Sequence, residues 1–277
     1  MRKYLSIVML GLVPMLFGQQ FKVMTFNIRL SLDSDKENAW TKRKDDAMGL
    51  MAYYHPDIMG VQEALPQQMR DIKAKLTNYD YIGVGRDDGK DAGEYSAIFY
   101  DKKRLKVLES GTFWLSETPD VPSKGWDAAY PRICTYGLFK DSKTGKKFWA
   151  LNLHFDHVGN VARVKSSQMI LERIKKMNPK NYALVLTGDF NLTEDTEPIQ
   201  IMSKSLDDSF YHSKTPHYGP KATWQAFDFN TIAKDRIDYI FVKGFTVLSN
   251  RTINDRRSNN LYPSDHFPVL AEITFTK

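Results

Sequence analysis

The order in which strand-forming and helix-forming stretches follow one another constrains this chain most. Phe21–Arg29 alternates and is rich in strand formers, and Asp57–Gln62 is a short apolar strand after Pro56. Between them Trp40–Tyr54 reads as a helix with Thr41 as its candidate N-cap, and after the second strand Leu65–Leu76 has helical spacing. Tyr79–Val84, Tyr95–Tyr100, Leu105–Leu115, Ile133–Lys140 and Lys147–His154 then read as strands. Asp141-Ser-Lys-Thr-Gly145 is a hairpin turn between the last two. Val161–Met177 is the clearest helix, with apolar Val164, Met169, Ile170, Ile174 and Met177, and it ends before Asn178-Pro179. Tyr182–Thr187 is a buried strand, Pro198–Ser203 a short helix, and Arg236–Val242, Phe245–Asn250 and Pro268–Phe275 close the chain as strands. A doubly wound parallel sheet would show more helices between its strands. This mixed order predicts an α/β fold of two packed mixed sheets with helices outside.

The segment before the first strand has its own character. Met1-Arg-Lys is a short positive stretch, Tyr4 to Phe17 is almost unbroken in its apolar character, and Gly18 is a candidate cleavage residue before Gln19-Gln20. Residues 1–20 are therefore expected to be a signal peptide. The competing reading is a membrane anchor, but the run is shorter than the about 18 apolar residues that a spanning helix needs. Gln19 stands where a lipid-bearing Cys would be. The expectation is export to the periplasm or outside the cell with no membrane anchor, and one domain over residues 21–277. Cys134 is the sole cysteine, so no internal disulfide can form and the core must hold the fold. A hydrophobic fraction of 42% is enough for that.

The formal charge is +6, and Arg2 and Lys3 leave with the leader. This mild excess favours anionic substrates only weakly. Lys102-Lys103-Arg104 and Arg256-Arg257 are short, scattered runs rather than the basic stripe of a dedicated duplex-DNA binder.

Chemistry enters at six places, where polar residues able to bind metal directly follow apolar strands. They are Thr25-Phe-Asn27, Val61-Gln-Glu63, Asn152-Leu-His154, Thr187-Gly-Asp189-Phe-Asn191, Arg236-Ile-Asp238 and Ser264-Asp265-His266. A lone Asn, Asp or His after a strand is usually a turn residue, but rigid scaffolds also present catalytic groups at strand ends. Oxygen donors, few nitrogens and no thiolate suit Mg²⁺ or Mn²⁺ rather than Zn²⁺.

Taken together and in order, these motifs resemble the endonuclease/exonuclease/phosphatase superfamily, which includes deoxyribonucleases, abasic-site endonucleases, inositol polyphosphate phosphatases, sphingomyelinases and deadenylases. The resemblance runs from Phe21 to the C-terminus. It implies a four-layer αββα sandwich and a divalent-metal-dependent phosphoesterase using Mg²⁺, with Mn²⁺ as a substitute. By position it implies Glu63 as principal metal ligand with Asn27 and Asp265 beside it. Asp189 and Asn191 correspond to the pair that orients the attacking water. His266, polarised by Asp238, resembles the catalytic histidine, and His154 a second phosphate-contacting histidine. Glu94 falls where one branch supports that second histidine.

Several residues around these motifs bear on the substrate. Asp156, His157 and Arg163 lie just past a catalytic strand, and Arg163 either caps the following helix or contacts a phosphate or leaving group. His-x-Asp-His-x-Gly and Ala-Arg-x-x-x-Gln patterns resemble a little-characterised bacterial branch. Trp114 reads as core and Trp126 as a loop residue able to line the cleft. Arg132 is the strongest extra phosphate candidate. Trp224 either packs under its loop or sits where relatives hold a leaving group.

The expected partner is a phosphorylated small-molecule or nucleotide substrate, a phosphomonoester or phosphodiester of a small or sugar-linked compound; no protein partner is legible. A secreted nuclease for DNA or RNA is the alternative. Export and the lack of a basic arm argue against abasic-site repair, and the lack of an aromatic hairpin or amphipathic membrane element argues against a sphingomyelinase. A catalytically inactive phosphate-binding module is the remaining class, and the complete residue set argues against it.

Overall fold

The computed structural model describes residues 20–276. The expected leader therefore lies outside the described residues except for Gln20, which opens the first strand. Among the described residues no helix is long and apolar enough to cross a membrane.

The first half of the chain builds one sheet with its helices. Strand β1 (Gln20–Asn27) leads through a 3-10 segment, Asp33–Asn38, to α1 (Trp40–Tyr54), β2 (Ile58–Ala64) and α2 (Pro66–Lys75). Strands β3 (Tyr79–Ile82) and β4 (Tyr95–Asp101) follow. The chain then lays down β5 (Leu105–Trp114), β6 (Ile133–Asp141) and β7 (Lys147–His154), then α3 (Asn160–Met177), β8 (Ala183–Asp189) and α4 (Glu197–Ser203). It closes with β9 (Asp207–Asp208), β10 (Asp238–Lys243), β11 (Phe245–Thr252) and β12 (Val269–Phe275). The two sheets have six strands each, in the orders β11-β12-β1-β2-β4-β3 and β5-β6-β7-β8-β10-β9. Each has one central parallel pair, β1 with β2 and β7 with β8, spanned by α1 and α3 respectively.

Three apolar layers hold four structural layers together. Met24, Phe26 and Met59 pack under Met48, Met51 and Ile72 of α1 and α2. Phe21, Val23, Phe148 and Val185 fill the space between the sheets. Leu151, Leu186 and Phe241 pack under Ile170, Ile174 and Met202 of α3 and α4. The fold is the αββα sandwich, with central strands buried on both faces.

Period-two reading of the central strands shows why one end of this sandwich is reactive. On the faces turned to each other, β1 presents Phe21, Val23, Thr25 and Asn27, and β7 presents Phe148, Ala150, Asn152 and His154. Strand β8 presents Val185, Thr187 and Asp189. Each row runs from apolar through amide or hydroxyl to a chemically active group. At the apolar end Phe21 meets Phe148 edge-on at 5.3 Å and Phe275 at 5.4 Å.

In the middle, Asn152 joins the sheets. Its Nδ2 donates to the Val61 and Ala97 carbonyls of the opposite sheet, each at 2.9 Å. Its Oδ1 accepts from Gln62 Nε2 at 2.7 Å and from Thr187 Oγ1 at 3.0 Å. Gly60 lets the sheets approach here, because a Cβ would lie 2.1 Å from Thr187 Oγ1 and 2.4 Å from Asn152 Oδ1.

Several sequence expectations need correction. Thr41 is not the N-cap: Ala39 occupies that position with no side-chain cap, and Thr41 lies one residue inside the helix. Strand β3 stops at Ile82, because Gly83 turns the chain at φ +129°, open to glycine. The 3-10 segment and two-residue β9 lack a periodic signature long enough to read. Two of the six motif segments do not follow strands: Asp238 opens β10, and Asp265-His266 precede β12. Both strands run antiparallel to their neighbours β8 and β1, so their starting ends lie beside the finishing ends of β8 and β1.

Asn152→Ala would leave two backbone carbonyls, Gln62 and Thr187 without their buried partner. The expected outcome is a loss of about 2–4 kcal/mol in unfolding free energy, read from the urea midpoint at unchanged slope.

Candidate active site

The site is two facing rows of side chains, one on each sheet. In the first sheet neighbouring strands present, in order, His266 and Asp265 before β12, Asn27 ending β1, Glu63 near the end of β2, and Glu94 just before β4. In the second, Asp238 opens β10, Asp189 ends β8, His154 ends β7 and Arg132 precedes β6. Within the second row the strands are in register, since Asp189 pairs with both Asp238 and His154 across the ladder. Opposite members meet: His266 with Asp238, Asn27 with Asp189, and Glu63 with His154. All of them except Asn27 and Asp238, which lie behind it, line a cleft of about 640 Å³. A larger groove of about 940 Å³ beside α3 is lined by Leu171, Tyr182, Leu206 and lysines, and holds none of these groups.

Local backbone geometry aims the key residues. Glu63 has φ 63° at a bulge in β2 between Val61 and Ala64, which breaks the two-residue alternation. A left-handed non-glycine residue costs roughly 1–2 kcal/mol, and the neighbours oppose that cost. Asn27 Nδ2 donates to Glu63 Oε1 at 3.0 Å, and the Leu30 amide donates to Oε2 at 3.0 Å. Asn191, at φ 51°, is held by its amide donating to Asp189 Oδ1 at 2.8 Å. Its Nδ2 donates to the Phe155 carbonyl at 3.0 Å and reaches His154 Nε2 at 3.0 Å. That orientation makes His154 Nε2 the acceptor and leaves the ring proton on Nδ1, 3.9 Å from Glu94.

Electrostatics divide the two histidines. Burial alone would depress His266, but Asp238, hydrogen-bonded to Nδ1 at 2.8 Å, and Asp189 at 3.8 Å outweigh it and push its pKa up to about 10. Burial also depresses His154, and there Arg132 and Arg86 add to the effect, so its pKa lies well below the ordinary value. One imidazole is a buried cation and the other is neutral. Burial and the nearby Asp238 raise Asp189 to about 7, and burial with Glu63 nearby raises Asp265.

This crowding of carboxylates is what a bound cation would relieve. Glu63, His154 and Asp189 each offer an atom within 4.8 Å of the others, as do Asp189, Asp238 and His266. Asp265 belongs to neither triad; it takes Ser264 Oγ at 3.3 Å and lies 3.9 Å from Arg29. Asn27 gives its amide nitrogen to Glu63 and Asp189, and its oxygen accepts from the Arg29 amide at 2.9 Å. The donors are oxygen and imidazole nitrogen, with Cys134 buried among apolar side chains. Such a set fits a hard divalent cation.

The remaining expected residues fall differently. Trp224 lines the cleft, 40% exposed, with its backbone paired to His266. Trp114 is core, and its Nε1 donates to the Arg86 carbonyl at 2.7 Å. Trp126 and Arg163 are not cleft-lining. Trp126 donates its amide to Glu117 at 3.1 Å, while Arg163 ties the His157 and Asn191 carbonyls, each at 3.5 Å, and the Asn160 side chain. Arg163 is therefore a strap on the loops around His154. Glu94 pairs with Arg86 at 2.7 Å.

Arg86, Arg29 and Tyr130 line the cleft and were not read from the sequence. They sit in loops, where no periodicity marks them. Fully buried Arg43 donates to the carbonyls of Ile28, Arg29, Asn38 and Pro263, fastening the loop after β1 to the segment before Asp265. It was hidden inside a helix pattern.

A sequence profile of the Endonuclease/Exonuclease/phosphatase family matches residues 24–266. The chain belongs to this family. It is similar to a mannosyl-6-phosphatase of Bacteroides thetaiotaomicron at 43% identity, covering 92% of this chain and 100% of that one, with TM-score 0.88. It is 34% identical over 164 residues to an uncharacterised protein of Acanthamoeba polyphaga mimivirus, covering 56% of this chain and 60% of the viral protein. It is 23% identical over 272 residues to human tyrosyl-DNA phosphodiesterase 2, covering 92% of this chain and 68% of that protein. The chain spans between 37% and 60% of the length of several curated relatives. As a family member it is an enzyme, a hydrolase of phosphoester bonds.

Asp238→Asn removes the larger of the carboxylate contributions that offset burial at His266. In the metal-free protein the His266 pKa is expected to fall from about 10, as burial gains on the remaining charges of Asp189 and Asp265, followed by NMR titration. In the wild type the raised value stabilises the fold fully below pH ~6.5, and this contribution is lost as pH climbs towards about 10.

Proposed function

We propose that this protein is an exported, divalent-metal-dependent phosphatase that takes a phosphoryl group from a small, sugar-linked phosphomonoester, with Mg²⁺ as the metal and Mn²⁺ able to replace it. The observation that carries the reading is the buried Asp238–His266 pair facing the Glu63–His154–Asp189 triad in one cleft. Similarity to a mannosyl-6-phosphatase along nearly the whole of both chains supports the sugar phosphate. Export is supported by the apolar run from Tyr4 to Phe17.

Glu63, with Asp189 and His154 in reach and Asn27 and Asp265 alongside, would hold the cation. When bound, it supplies Lewis-acid charge to the phosphoryl oxygens. The protein's own groups do the rest. Asp189 and Asn191 orient the attacking water, Asp189 by accepting its hydrogen and Asn191 by fixing the position of the carboxylate. His266 carries a positive charge where negative charge grows on the phosphoryl group, and Asp238 keeps that charge in place. Neutral His154 accepts at Nε2 from Asn191 and so holds that amide beside the phosphoryl group. The leaving sugar exits past Trp224 and Tyr130 at the rim, where an aromatic face suits the apolar side of a sugar ring.

Glu63→Ala and His266→Ala are each expected to lower turnover by at least ~10²-fold, and EDTA to abolish it until Mg²⁺ or Mn²⁺ is restored. The deciding assay is a panel of hexose 6-phosphates including mannose 6-phosphate, inositol phosphates, poly(A), plasmid DNA and RNA. Preferred turnover of a nucleic acid over every sugar phosphate would overturn the substrate reading. Near-normal activity of His266→Ala would overturn the mechanism.

A further inference from the structure

Arg132, Arg86, Tyr130, Asp156 and His157 form a wall at the β4–β6 end of the cleft, beside the hydrolytic groups. Arg132 lies beside His154, one strand over, and is only 5% exposed while lining the cleft. Its three guanidinium nitrogens are treated differently. Nε faces Asp156 Oδ1 at 3.4 Å, Nη2 donates to His157 Nδ1 at 3.1 Å, and buried Nη1 has no hydrogen-bond partner. Asp156 is held ionised and in place by the amides of Gly159 at 2.8 Å, Val158 at 3.0 Å and Ala129 at 3.1 Å, so it orients Arg132 through Nε and leaves Nη1 without an acceptor. His157 must accept from a guanidinium, which has only donors, so its ring proton sits on Nε2. His157 stacks on Tyr130 with ring centres 6.0 Å apart, and Arg86 lies over the same ring at 5.4 Å. Arg86 also keeps a buried Nε without a hydrogen-bond acceptor. A buried guanidinium with an unused donor is costly unless something completes it. Among the described residues Nη1 has no hydrogen-bond acceptor.

We propose that Arg132, set by Asp156 and His157 and backed by Arg86, selects phosphomonoesters over phosphodiesters by binding the third non-bridging oxygen that a monoester alone carries. The inference rests on the phosphoesterase reading of this same cleft. A monoester phosphoryl group has three non-bridging oxygens and a charge of about −1.5 to −2 at neutral pH. A diester has two such oxygens and a single negative charge, and at the third position it carries an ester oxygen with an organic substituent. The facing rows address the reacting phosphorus from Glu63, His154, Asp189 and His266. Arg132 continues the same row beyond His154 and lines the cleft, so its guanidinium lies to one side of that group. A planar guanidinium held at two of its nitrogens suits an anionic oxygen and gives a bulky ester substituent nothing.

The test compares wild type with Arg132→Met and Arg132→Lys, loaded with Mg²⁺, on p-nitrophenyl phosphate and bis(p-nitrophenyl) phosphate. The readout is the ratio of the two kcat/KM values, which does not depend on the fraction of correctly folded enzyme. Arg132→Met is expected to lower the monoester-to-diester ratio by about 10²-fold, with Arg132→Lys recovering part of it. Inorganic phosphate provides an equilibrium check: by calorimetry its Kd should rise at least ~10-fold in Arg132→Met, well beyond any change for dimethyl phosphate. Equal losses on both esters, or no loss on either, would overturn the proposal, as would a wild type that prefers the diester. Failure to turn over hexose 6-phosphates while hydrolysing p-nitrophenyl phosphate would instead overturn the sugar reading and leave the role of Arg132 standing.

Discussion

Asn152 is the contact on which the rest depends. It sits at the midpoint of the inter-sheet layer, with all four of its hydrogen-bonding positions filled from three strands of the two sheets. An amide here fixes the distance and register between sheets that apolar packing alone would leave free to slide. Full satisfaction is what makes a buried polar network specifying rather than costly. Phe21, Phe148 and Phe275 close one side of Asn152, and Asn27, His154 and Asp189 open on the other.

Holding the sheets in register is what lets the two rows react. No strand carries a complete active site. His266 needs Asp238 from the opposite sheet, and Asn27 needs Asp189 from the opposite sheet. A slip of one residue in either sheet would turn an inward residue to the helix side, and the pairs would separate. The left-handed residues Glu63 and Asn191 are held against their conformational cost by hydrogen bonds to other members of the site.

The same geometry separates the charges. Asp189, Asp238 and Asp265 gather toward the β12–β10 end, while Arg86 and Arg132 stand at the β4–β6 end paired with Glu94 and Asp156, with His154 between the two groups. His266 is consequently a cation and His154 neutral, although both are buried imidazoles at strand termini. A phosphate entering such a cleft meets a polarised imidazolium on one side and arginine on the other, with the metal-competent triad in the middle.

Much of this was legible in the sequence. Alternation gave the strands, because a two-residue repeat directly records which side chains share a face, and the long helices showed their own spacing. Asn27, Glu63, His154, Asp189, Asp238 and His266 stood out because each ends or begins an apolar run. Whether a strand finishes or starts at the site did not show, since direction within a sheet depends on pairing between distant segments. Arg86, Tyr130 and Arg43 were also hidden: their roles come from loop carbonyls, ring stacking and an empty donor, none of which leaves a local pattern. The sequence by itself determined the elements, the polar gradient along each strand and the chemical types at the reactive end. Only the tertiary structure decided which histidine is charged, which arginines of the cleft keep a free donor and which carboxylates share a site, because those properties belong to groups brought together from distant parts of the chain.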